Sequence, residues 1–314
     1  MGCVLAIAAP GQGAQTPGFL EAWLELPGVA DRLTWWSAVT GLDLIRYGTT
    51  ADADEIRDTA VAQPLLVSAA LVTYELLGVT PDVVVGHSVG ELAAAAIAGV
   101  ITPEAALVLA RERGRAMAEA AAVTETGMTA VLGGDPDEVQ IVLKDHGLTP
   151  ANMNGAGQVV AAGTLEQLAA LAERPPAGAR LRSLQVAGAF HTRHMEPAVD
   201  TLRRITPGMP VADPGIQVLS NRDGAVVERG GDFVARLAEQ VSTPVRWDSC
   251  METMTDLGVT ALIELPPAGT LAGIARRALP GVEVVALKTP DKLDQARALA
   301  RSEASPSDDT LENA

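Results

Sequence analysis

Short apolar runs and longer amphipathic segments alternate along most of the chain. The runs at 82–85 and 260–265 are rich in apolar residues and have the length of buried strands. The segment 103–122 has apolar residues at three- and four-residue spacing, which predicts a helix with one buried face. Alternation of strands and helices over a whole chain is typical of an α/β fold with a parallel sheet. We therefore predict this fold class.

The middle of the chain, residues 124–188, has a different order of elements. Thr164 and Gln167 have the spacing of a capping box, which marks the start of a helix. The predicted elements follow the order strand, helix, strand, strand, helix, strand, at 128–132, 135–146, 148–154, 158–162, 164–173 and 181–186. Because this is the ferredoxin-like order, we expect a small ferredoxin-like subdomain at 124–188, inserted into a large domain made of residues 1–123 and 189–300.

The remaining segments complete the predicted large domain. A first strand is expected at 3–9, and a helix is expected at 64–77 with Pro64 in its first position. Gln63, directly before that proline, is interpreted first as a helix cap and second as a pocket residue. The last residues, 301–314, are polar and acidic, which predicts a disordered tail.

The most informative stretch is Gly86-His87-Ser88-Val89-Gly90, which lies between a predicted strand and a predicted helix. The pattern G-x-S-x-G in this setting is a nucleophile elbow, a turn so sharp that its flanking positions must be glycine. The turn exposes the hydroxyl of Ser88 as a candidate nucleophile and points the N–H of Val89 to where an oxyanion would form. We therefore expect an α/β-hydrolase-like large domain. A glycine-rich turn with an incidental serine is the less favoured alternative.

Other polar residues are candidates for chemistry at this serine. Gln12 lies in a glycine-rich loop after the first predicted strand, although an ordinary connecting loop is the alternative. His191 lies beside small residues and an aromatic, and is the candidate base. His194 and His87 are interpreted as packing or surface residues. Arg113 falls inside the apolar stripe of its helix, where a guanidinium must be paired, reach a cavity or extend from the helix flank.

Composition narrows the class of protein. The 314 residues carry a formal charge of −16, which leaves no net basic surface for nucleic acid. The two cysteines, Cys3 and Cys250, form neither a disulfide framework nor a zinc-binding spacing. No signal peptide is expected at the N-terminus, and polar residues interrupt the apolar stretch at 83–101, so no membrane span is expected. We therefore expect a cytoplasmic protein without a bound metal.

Six motifs follow one another along the chain. They are PGQGAQ at 10–15, GHSVGE at 86–91, RGRAM at 113–117, NGAGQ at 154–158, GAFH at 188–191 and PVRW at 244–247. Together they closely resemble the malonyl-CoA:acyl-carrier-protein transacylases of actinobacterial fatty-acid synthesis. The resemblance extends to about residue 290. It departs from the family where a G-P-G run is replaced by Pro266-Pro267-Ala268-Gly269.

The resemblance implies a catalytic role for several of these residues. Ser88 would be the nucleophile, and His191 would be the general acid and base. The backbone carbonyl of Gln240 would orient the histidine. Gln12 and Val89 would form the oxyanion hole. The implied arrangement is a Ser–His dyad held by a carbonyl, without an aspartate.

The resemblance also implies how the acyl group is chosen. Arg113 would bind the malonyl carboxylate. Phe190 resembles the malonyl-selective version of its motif, in which an aromatic ring crowds an α-methyl group. The other candidate pocket residues are Gln63, Met117, Asn154 and Gln158, of which Asn154 and Gln158 are interpreted first as turn residues.

The implied activity is transfer of the malonyl group from malonyl-CoA to the phosphopantetheine thiol of acyl carrier protein, by a ping-pong route that supplies fatty-acid or polyketide synthesis. The family implies a monomer that uses no cofactor. Because acyl carrier proteins are acidic, docking requires a local basic patch, with candidates Arg180, Arg182, Arg193, Arg276, Arg277 and Lys288. Two alternatives stay open: an α/β serine hydrolase, and a non-catalytic subunit that docks the carrier protein.

Overall fold

The computed structural model describes residues 4–301. In chain order its strands are β1 (Leu5–Ala9), β2 (Val83–Gly86), β3 (Thr126–Gly133), β4 (Thr149–Gly155), β5 (Gln158–Thr164), β6 (Ala179–Ser183), β7 (Gln217–Leu219), β8 (Val245–Arg246), β9 (Ala261–Glu264) and β10 (Glu283–Ala286). Its α-helices are α1 (Glu21–Leu24), α2 (Val29–Thr40), α3 (Leu44–Thr49), α4 (Thr59–Leu77), α5 (Gly90–Ile97), α6 (Pro103–Ala121), α7 (Pro136–Asp145), α8 (Leu165–Glu173), α9 (Glu196–Ile205), α10 (Gly230–Glu239), α11 (Trp247–Asp256), α12 (Thr270–Ala278) and α13 (Leu293–Arg301). The predictions for Cys3 and for the tail at 302–314 lie outside the described residues.

Five of the strands form a parallel sheet, as the alternation of strands and helices predicted. Its order is β10-β9-β1-β2-β7, and every neighbouring pair is parallel. β1 and β2 lie side by side with Ala9 opposite Gly86, and both strands are buried. The loop at 10–15 and the GHSVG turn therefore meet at the carboxyl edge of the sheet, where open α/β sheets bind ligands.

The second sheet is formed mainly by residues 126–183. Its order is β6-β3-β5-β4-β8, in which the first four strands pair antiparallel and β8 adds to β4 in parallel. The strands and helices from β3 to β6 follow the predicted order, and the capping box at Thr164 and Gln167 is present. β8 comes from outside the predicted subdomain, so the second sheet is shared between the two parts of the chain.

The two longest helices, α4 and α6, pack against each other in the core. The contact is close at Gly114, where a Cβ atom would lie 2.6 Å from the carbonyl oxygen of Thr59. By length and composition alone α4 could cross a membrane, but most of it is buried inside the protein, as expected of a core helix. This packing brings Arg113 of α6 to the carboxyl edge of the parallel sheet, beside Ser88.

The helix predicted at 64–77 begins one turn earlier than expected. α4 starts at Thr59, after Asp58, whose carboxylate accepts a hydrogen bond from the N–H of Ala60. Pro64 therefore lies inside the helix, where it removes one backbone hydrogen bond that the burial of the surrounding helix offsets. The interpretation of Gln63 as a helix cap is wrong, because this residue is buried within α4.

Candidate active site

The chain turns sharply at Ser88, between β2 and α5. Ser88 has φ = +54°, in the left-handed region that side chains other than glycine rarely adopt. A Cβ atom on Gly86 would lie 2.0 Å from the carbonyl carbon of Gly90, and one on Gly90 would lie 2.1 Å from the carbonyl oxygen of Ala9. Both flanking positions therefore require glycine, and the predicted strand-turn-helix elbow is confirmed in its backbone geometry.

The side chain of Ser88 is paired with His191. The Oγ atom of Ser88 lies 2.7 Å from Nε2 of His191, and Nδ1 of the same ring lies 2.9 Å from the carbonyl oxygen of Gln240. Since a carbonyl oxygen only accepts, Nδ1 carries the ring proton, and the lone pair of Nε2 faces the serine hydroxyl. Burial, assisted by the charge of Arg113, lowers the pKa of His191 to about 3. The imidazole is therefore neutral at pH 7 and can accept a proton from Ser88.

A buried guanidinium lies beside the same serine. Arg113 is 2% exposed, and its Nη2 lies 3.3 Å from Oγ of Ser88. Two side-chain amides accept hydrogen bonds from it, Oε1 of Gln63 at 2.6 Å and Oε1 of Gln240 at 2.7 Å. Within residues 4–301 no carboxylate forms an ion pair with Arg113. Burial lowers its pKa to about 10, so the group stays charged at pH 7 and can bind an anion.

The two residues proposed for the oxyanion hole lie on either side of the elbow. The N–H of Val89, just before α5, has no acceptor among the described residues, and an unpaired N–H at a helix N-terminus can stabilise an oxyanion. Gln12 is half-buried, and its Oε1 accepts a hydrogen bond from Nε2 of Gln63 at 3.4 Å. The loop that carries Gln12 touches the elbow, because a Cβ atom on Gly11 would lie 3.5 Å from Cβ of Ser88.

Gln63 joins these groups instead of capping a helix. Besides its contacts with Arg113 and Gln12, its Nε2 donates a hydrogen bond to Sδ of Met117 at 3.3 Å. Met117 is buried one turn after Arg113 on α6. The sequence signal that could have identified Gln63 is a glutamine within a long apolar segment, where a buried amide needs polar partners.

The other predicted pocket residues lie farther from the reacting atoms. Oδ1 of Asn154 lies 3.0 Å from Nε2 of His87, whose ring packs against Trp247 with centroids 5.5 Å apart. Asn154 therefore links the second sheet to the elbow through His87. We call Ser88 and the side chains hydrogen-bonded around it, His191, Arg113, Gln63 and Gln240, the serine cluster. Gln158 begins β5, and within the described part of the chain its side chain forms no hydrogen bond to this cluster. Phe190 is buried directly before His191.

Two buried residues that were not identified from the sequence, Asn221 and Glu91, form hydrogen bonds to the elbow or to residues that contact it. The N–H of Ser88 donates to Oδ1 of Asn221 at 2.7 Å, and Nδ2 of Asn221 donates to the carbonyl oxygen of Gly86 at 2.7 Å. Glu91 accepts hydrogen bonds from the N–H of Asn221 at 2.5 Å and from Nε2 of Gln240. Burial raises the pKa of Glu91, whereas the N–H donors of Asn221 and Gln240 and the charge of Arg113 act against this rise and favour the ionised carboxylate that both donors require. The available signals were a charged residue in the first turn of an apolar helix and an asparagine just after a buried strand.

The structure contains a cavity of about 790 Å³ near the segments that carry His191 and Gln240 in the sequence. Its lining includes Arg193 and His194, which follow His191 in the chain, and Ser242, which follows Gln240. Ser88, Arg113, His191 and Gln240 are not among the described residues that line this cavity, so it does not define the site of the acyl group. Within residues 4–301 no group of three or more His, Cys, Asp or Glu side chains is arranged to hold a metal ion.

The sequence matches the model of the acyl transferase domain over residues 10–301. The malonyl CoA-acyl carrier protein transacylase of Mycobacterium tuberculosis (strain H37Rv) is 52% identical over 298 residues, which cover 93% of this chain and 99% of that protein. The crystal structure of MCAT from Mycobacterium tuberculosis superposes with a TM-score of 0.90 at 51% identity, covering 93% of this chain and 99% of the other.

A solved complex of a type II PKS acyl-carrier protein with its malonyl-transacylase also matches, with a TM-score of 0.86 and 30% identity over 93% of this chain and 98% of that one. The family match spans nearly the whole described chain, and the elbow, the Ser88–His191 pair and the buried Arg113 fall within it. The chain is therefore an acyltransferase, and it belongs to the family of malonyl CoA-acyl carrier protein transacylases.

Proposed function

We propose that this protein transfers the malonyl group of malonyl-CoA to the phosphopantetheine thiol of acyl carrier protein through a malonyl-Ser88 intermediate. The observation that carries this proposal is the guanidinium of Arg113, which is buried 3.3 Å from the hydroxyl of Ser88 with neutral amides as its hydrogen-bond partners. A buried cation without an ion pair favours an anionic ligand. The names of the relatives, which specify malonyl CoA and acyl carrier protein, support the same substrates.

In the first half-reaction Nε2 of His191 takes the proton of Ser88 while Oγ attacks the thioester carbon of malonyl-CoA. The oxyanion that forms is stabilised by the N–H of Val89 and by Gln12, and a well-placed donor of this kind is worth about 3–4 kcal/mol. The tetrahedral intermediate collapses, and the leaving CoA thiolate takes the proton back from His191. The products are CoA and malonyl-Ser88.

In the second half-reaction the phosphopantetheine thiol of the carrier protein replaces CoA. His191 takes the proton of this thiol, the thiolate attacks the ester carbon of malonyl-Ser88, and the same donors stabilise the oxyanion. Ser88 leaves with the proton from His191, which regenerates the enzyme. The carbonyl of Gln240 keeps the proton on Nδ1 throughout, so that Nε2 performs every transfer. This chemistry needs neither a metal ion nor a redox cofactor.

The choice of acyl group follows from Arg113. A guanidinium can bind a carboxylate through two N–H groups, whereas an acetyl group would leave the buried charge without a partner. Phe190 would crowd an α-methyl group, although one methyl group changes the free energy of binding by only about 1–3 kcal/mol. Malonyl-CoA is therefore the preferred substrate, acetyl-CoA is rejected strongly, and methylmalonyl-CoA is rejected weakly.

The architecture supports two finer assignments, which we also propose. The elbow at the carboxyl edge of a parallel sheet supports an α/β-hydrolase-like large domain at 1–123 and 189–300. The strand order β6-β3-β5-β4 supports a ferredoxin-like subdomain at 124–188. The net charge of −16 and the burial of α4 support a cytoplasmic protein that binds neither nucleic acid nor membranes, and we propose that it acts as a monomer.

The carrier protein would dock against exposed basic residues. The six candidates lie at separate places: Arg180 and Arg182 on the edge strand β6, Arg276 and Arg277 on α12, Lys288 after β10, and Arg193 beside the cavity. Arg193 lies two positions from His191, so we propose that docking centres on it. Arg193→Glu should slow transfer to the carrier protein and leave formation of malonyl-Ser88 unchanged. Equal transfer rates for the variant and the wild type would refute this docking position.

The test of the proposed function is the mass of the intact protein after brief mixing with malonyl-CoA or acetyl-CoA. A single malonyl adduct that is absent with acetyl-CoA, and that disappears when carrier protein is added, is the expected result. Free malonate without an accumulating adduct would indicate a serine hydrolase. Neither adduct nor product would indicate a non-catalytic docking subunit.

A further inference from the structure

Glu91 is a buried carboxyl group to which the proposed mechanism gives no role. It is 1% exposed in the first turn of α5. Both of its oxygens face N–H donors: Oε1 accepts from the backbone of Asn221 at 2.5 Å, and Oε2 accepts from the side chain of Gln240. Two donors facing two oxygens require a group with two acceptors, and a carboxylate is the side-chain group that provides them.

The amide of Gln240 is held in one orientation because its two ends face opposite partners. Its Nε2 donates to Glu91 and also to the carbonyl oxygen of Ser88 at 3.0 Å. Its Oε1 accepts from Nη2 of Arg113 at 2.7 Å. If the amide turned over, its NH₂ group would face the guanidinium donor against donor, and its oxygen would face the acceptors of Glu91 and Ser88. Glu91 therefore selects the orientation in which Gln240 can hold Arg113.

The same glutamate is connected to the nucleophile. The backbone N–H of Asn221 donates to Glu91, and Oδ1 of Asn221 accepts from the N–H of Ser88 at 2.7 Å. This second connection holds the backbone of the elbow, which the glycines at 86 and 90 already constrain sterically. The guanidinium of Arg113 is held by two amides, Gln240 and Gln63, so misorientation of Gln240 leaves Gln63 as its remaining amide partner.

We infer that Glu91 is a positioning residue for acyl-group recognition: its carboxylate orients the side-chain amide of Gln240, and that amide holds the guanidinium of Arg113 beside Ser88. The inference rests on the proposed function, since it assigns Glu91 to the same site. It gives a physical reason for a charged residue in the first turn of an otherwise apolar buried helix.

Loss of the carboxylate should weaken recognition of the malonyl group more than it weakens the chemistry at the serine. In the variant Glu91→Gln one oxygen is replaced by an NH₂ group. One of the two facing donors then loses its acceptor, and Gln240 is free to turn over. Arg113 loses a hydrogen bond that positions it, so binding of a carboxylate suffers. An acetyl group makes no use of Arg113, so its slow transfer changes less.

The chain offers a matched control in Glu264. This glutamate is also fully buried, burial also raises its pKa, and its carboxylate also accepts backbone N–H bonds, from Gly269, Leu271 and Ala272. Among residues 4–301 the hydrogen-bond partners of its carboxylate are these three N–H groups, and none of them belongs to the serine cluster. Glu264→Gln therefore reproduces the loss of a buried carboxylate without touching Gln240.

The experiment measures the rate of acyl-Ser88 formation by intact mass over a range of malonyl-CoA and acetyl-CoA concentrations, for the full-length wild type, Glu91→Gln and Glu264→Gln. For Glu91→Gln we expect the half-saturating concentration of malonyl-CoA to rise about tenfold or more, as for the loss of a charge-assisted hydrogen bond. The preference for malonyl-CoA over acetyl-CoA should fall by the same factor. Glu264→Gln should melt at a lower temperature and keep the wild-type preference.

The outcomes are distinguishable. An unchanged preference in Glu91→Gln, whether both rates fall equally or neither falls, overturns the inference. Absence of a malonyl adduct in the wild type overturns the proposed function itself. If Glu91→Gln does not fold, Glu91→Met, which keeps the length of the side chain in an apolar form, gives the same measurement. Failure of both variants to fold while Glu264→Gln folds would show that Glu91 determines the fold and does not act as a positioning residue.

Discussion

The parallel sheet contains two similar strand-turn-helix units, β2 to α5 and β9 to α12. They share a residue type and a backbone conformation but differ in their hydrogen bonds. Each unit has a residue other than glycine in the left-handed region, Ser88 at φ = +54° and Ala268 at φ = +52°. Each also has a buried glutamate, Glu91 in the first and Glu264 in the second. The units differ in which donors these glutamates satisfy.

In the β9 unit the glutamate satisfies the start of the following helix. The carboxylate of Glu264 accepts from the N–H groups of Gly269, Leu271 and Ala272 at 2.6, 3.0 and 2.8 Å. These are the donors that a helix N-terminus leaves unpaired. The departure from the family pattern at 266–269 falls in this unit, and among the described residues it shares no hydrogen bond with the serine cluster.

In the β2 unit the N–H of Val89 has no acceptor within the described part of the chain, while Glu91 accepts from Asn221 and Gln240. A helix N-terminus can therefore stabilise an external oxyanion only where the protein itself supplies no acceptor for its N–H groups. The glutamate of the reactive unit holds the surrounding side chains and leaves the donor of the turn free. Four predictions test this comparison.

The largest effect is expected from Ser88→Ala, which removes the hydroxyl and leaves the turn unchanged. The malonyl adduct should disappear, with a loss of acyl transfer of about 10⁴-fold or more. The matched variant is Ser88→Ala combined with Ala268→Ser, which moves a hydroxyl to the equivalent position of the β9 unit. Intact mass should detect no adduct in either protein. An adduct on the relocated serine would mean that the free N–H donor of the β2 unit does not explain why only this unit is reactive.

The second effect is expected from Arg113→Met, which removes the buried cation beside the β2 unit. Formation of malonyl-Ser88 should fall by about 10²-fold or more, since the loss of one partner of a buried charge pair costs several kcal/mol. Acetylation should fall far less. Arg115→Met is the control on the same helix, because the side chain of Arg115 is 51% exposed. Equal losses for both acyl groups would contradict a role of Arg113 in binding the carboxylate.

The third effect concerns the turn itself. Gly90→Ala would place a Cβ atom 2.1 Å from the carbonyl oxygen of Ala9, so the free energy of unfolding should fall by more than about 4 kcal/mol, measured by denaturant titration. Gly231→Ala in α10 is the control, since a Cβ atom there meets nothing within 4 Å. This control should be neutral or stabilising by up to about 1 kcal/mol. Similar stability for the two variants would contradict the requirement for glycine.

The smallest effect is the pH dependence of acylation. The proposed base is the neutral form of His191, and because the pKa of this residue is lowered to about 3, the neutral form persists well below the range of an ordinary histidine. The initial rate of adduct formation, measured by rapid quenching, should therefore change little between pH 7 and pH 5 and should fall only near pH 4 and below. A midpoint near pH 6.5 would show that burial does not lower the pKa of this imidazole.

Features of the structure that depend on short-range chemistry were predicted correctly from the sequence. The elbow, the capping box at Thr164 and the alternation of strands and helices were all predicted, because each depends on residues within a few positions of one another. The serine, histidine and arginine came from motifs, and the structure brings Ser88, His191 and Arg113 to hydrogen-bonding distance. Gln63 was misinterpreted, because a proline near a helix start favours a cap when only local rules are considered.

The contacts of Glu91 with Asn221 and Gln240 could not be predicted from the sequence, because they join residues far apart in the chain. Glu91 meets Asn221 and Gln240 across 130 and 149 residues of chain, and no periodicity in the sequence encodes such a distance. Glu91 and Glu264 are also alike in the sequence, as single glutamates in buried elements. Only their surroundings in the folded chain decide that one satisfies a helix end and the other holds side chains around the serine.

The sequence alone was enough to predict the α/β class and the position of the elbow and to name the candidate reactive groups, since strand, turn and helix preferences act over a few residues. The tertiary structure decided which donors stay free, which amides hold Arg113 and which glutamate serves the site. These depend on the packing of α4, α6 and α10 against the carboxyl edge of the sheet, where burial leaves each polar group with a single set of partners.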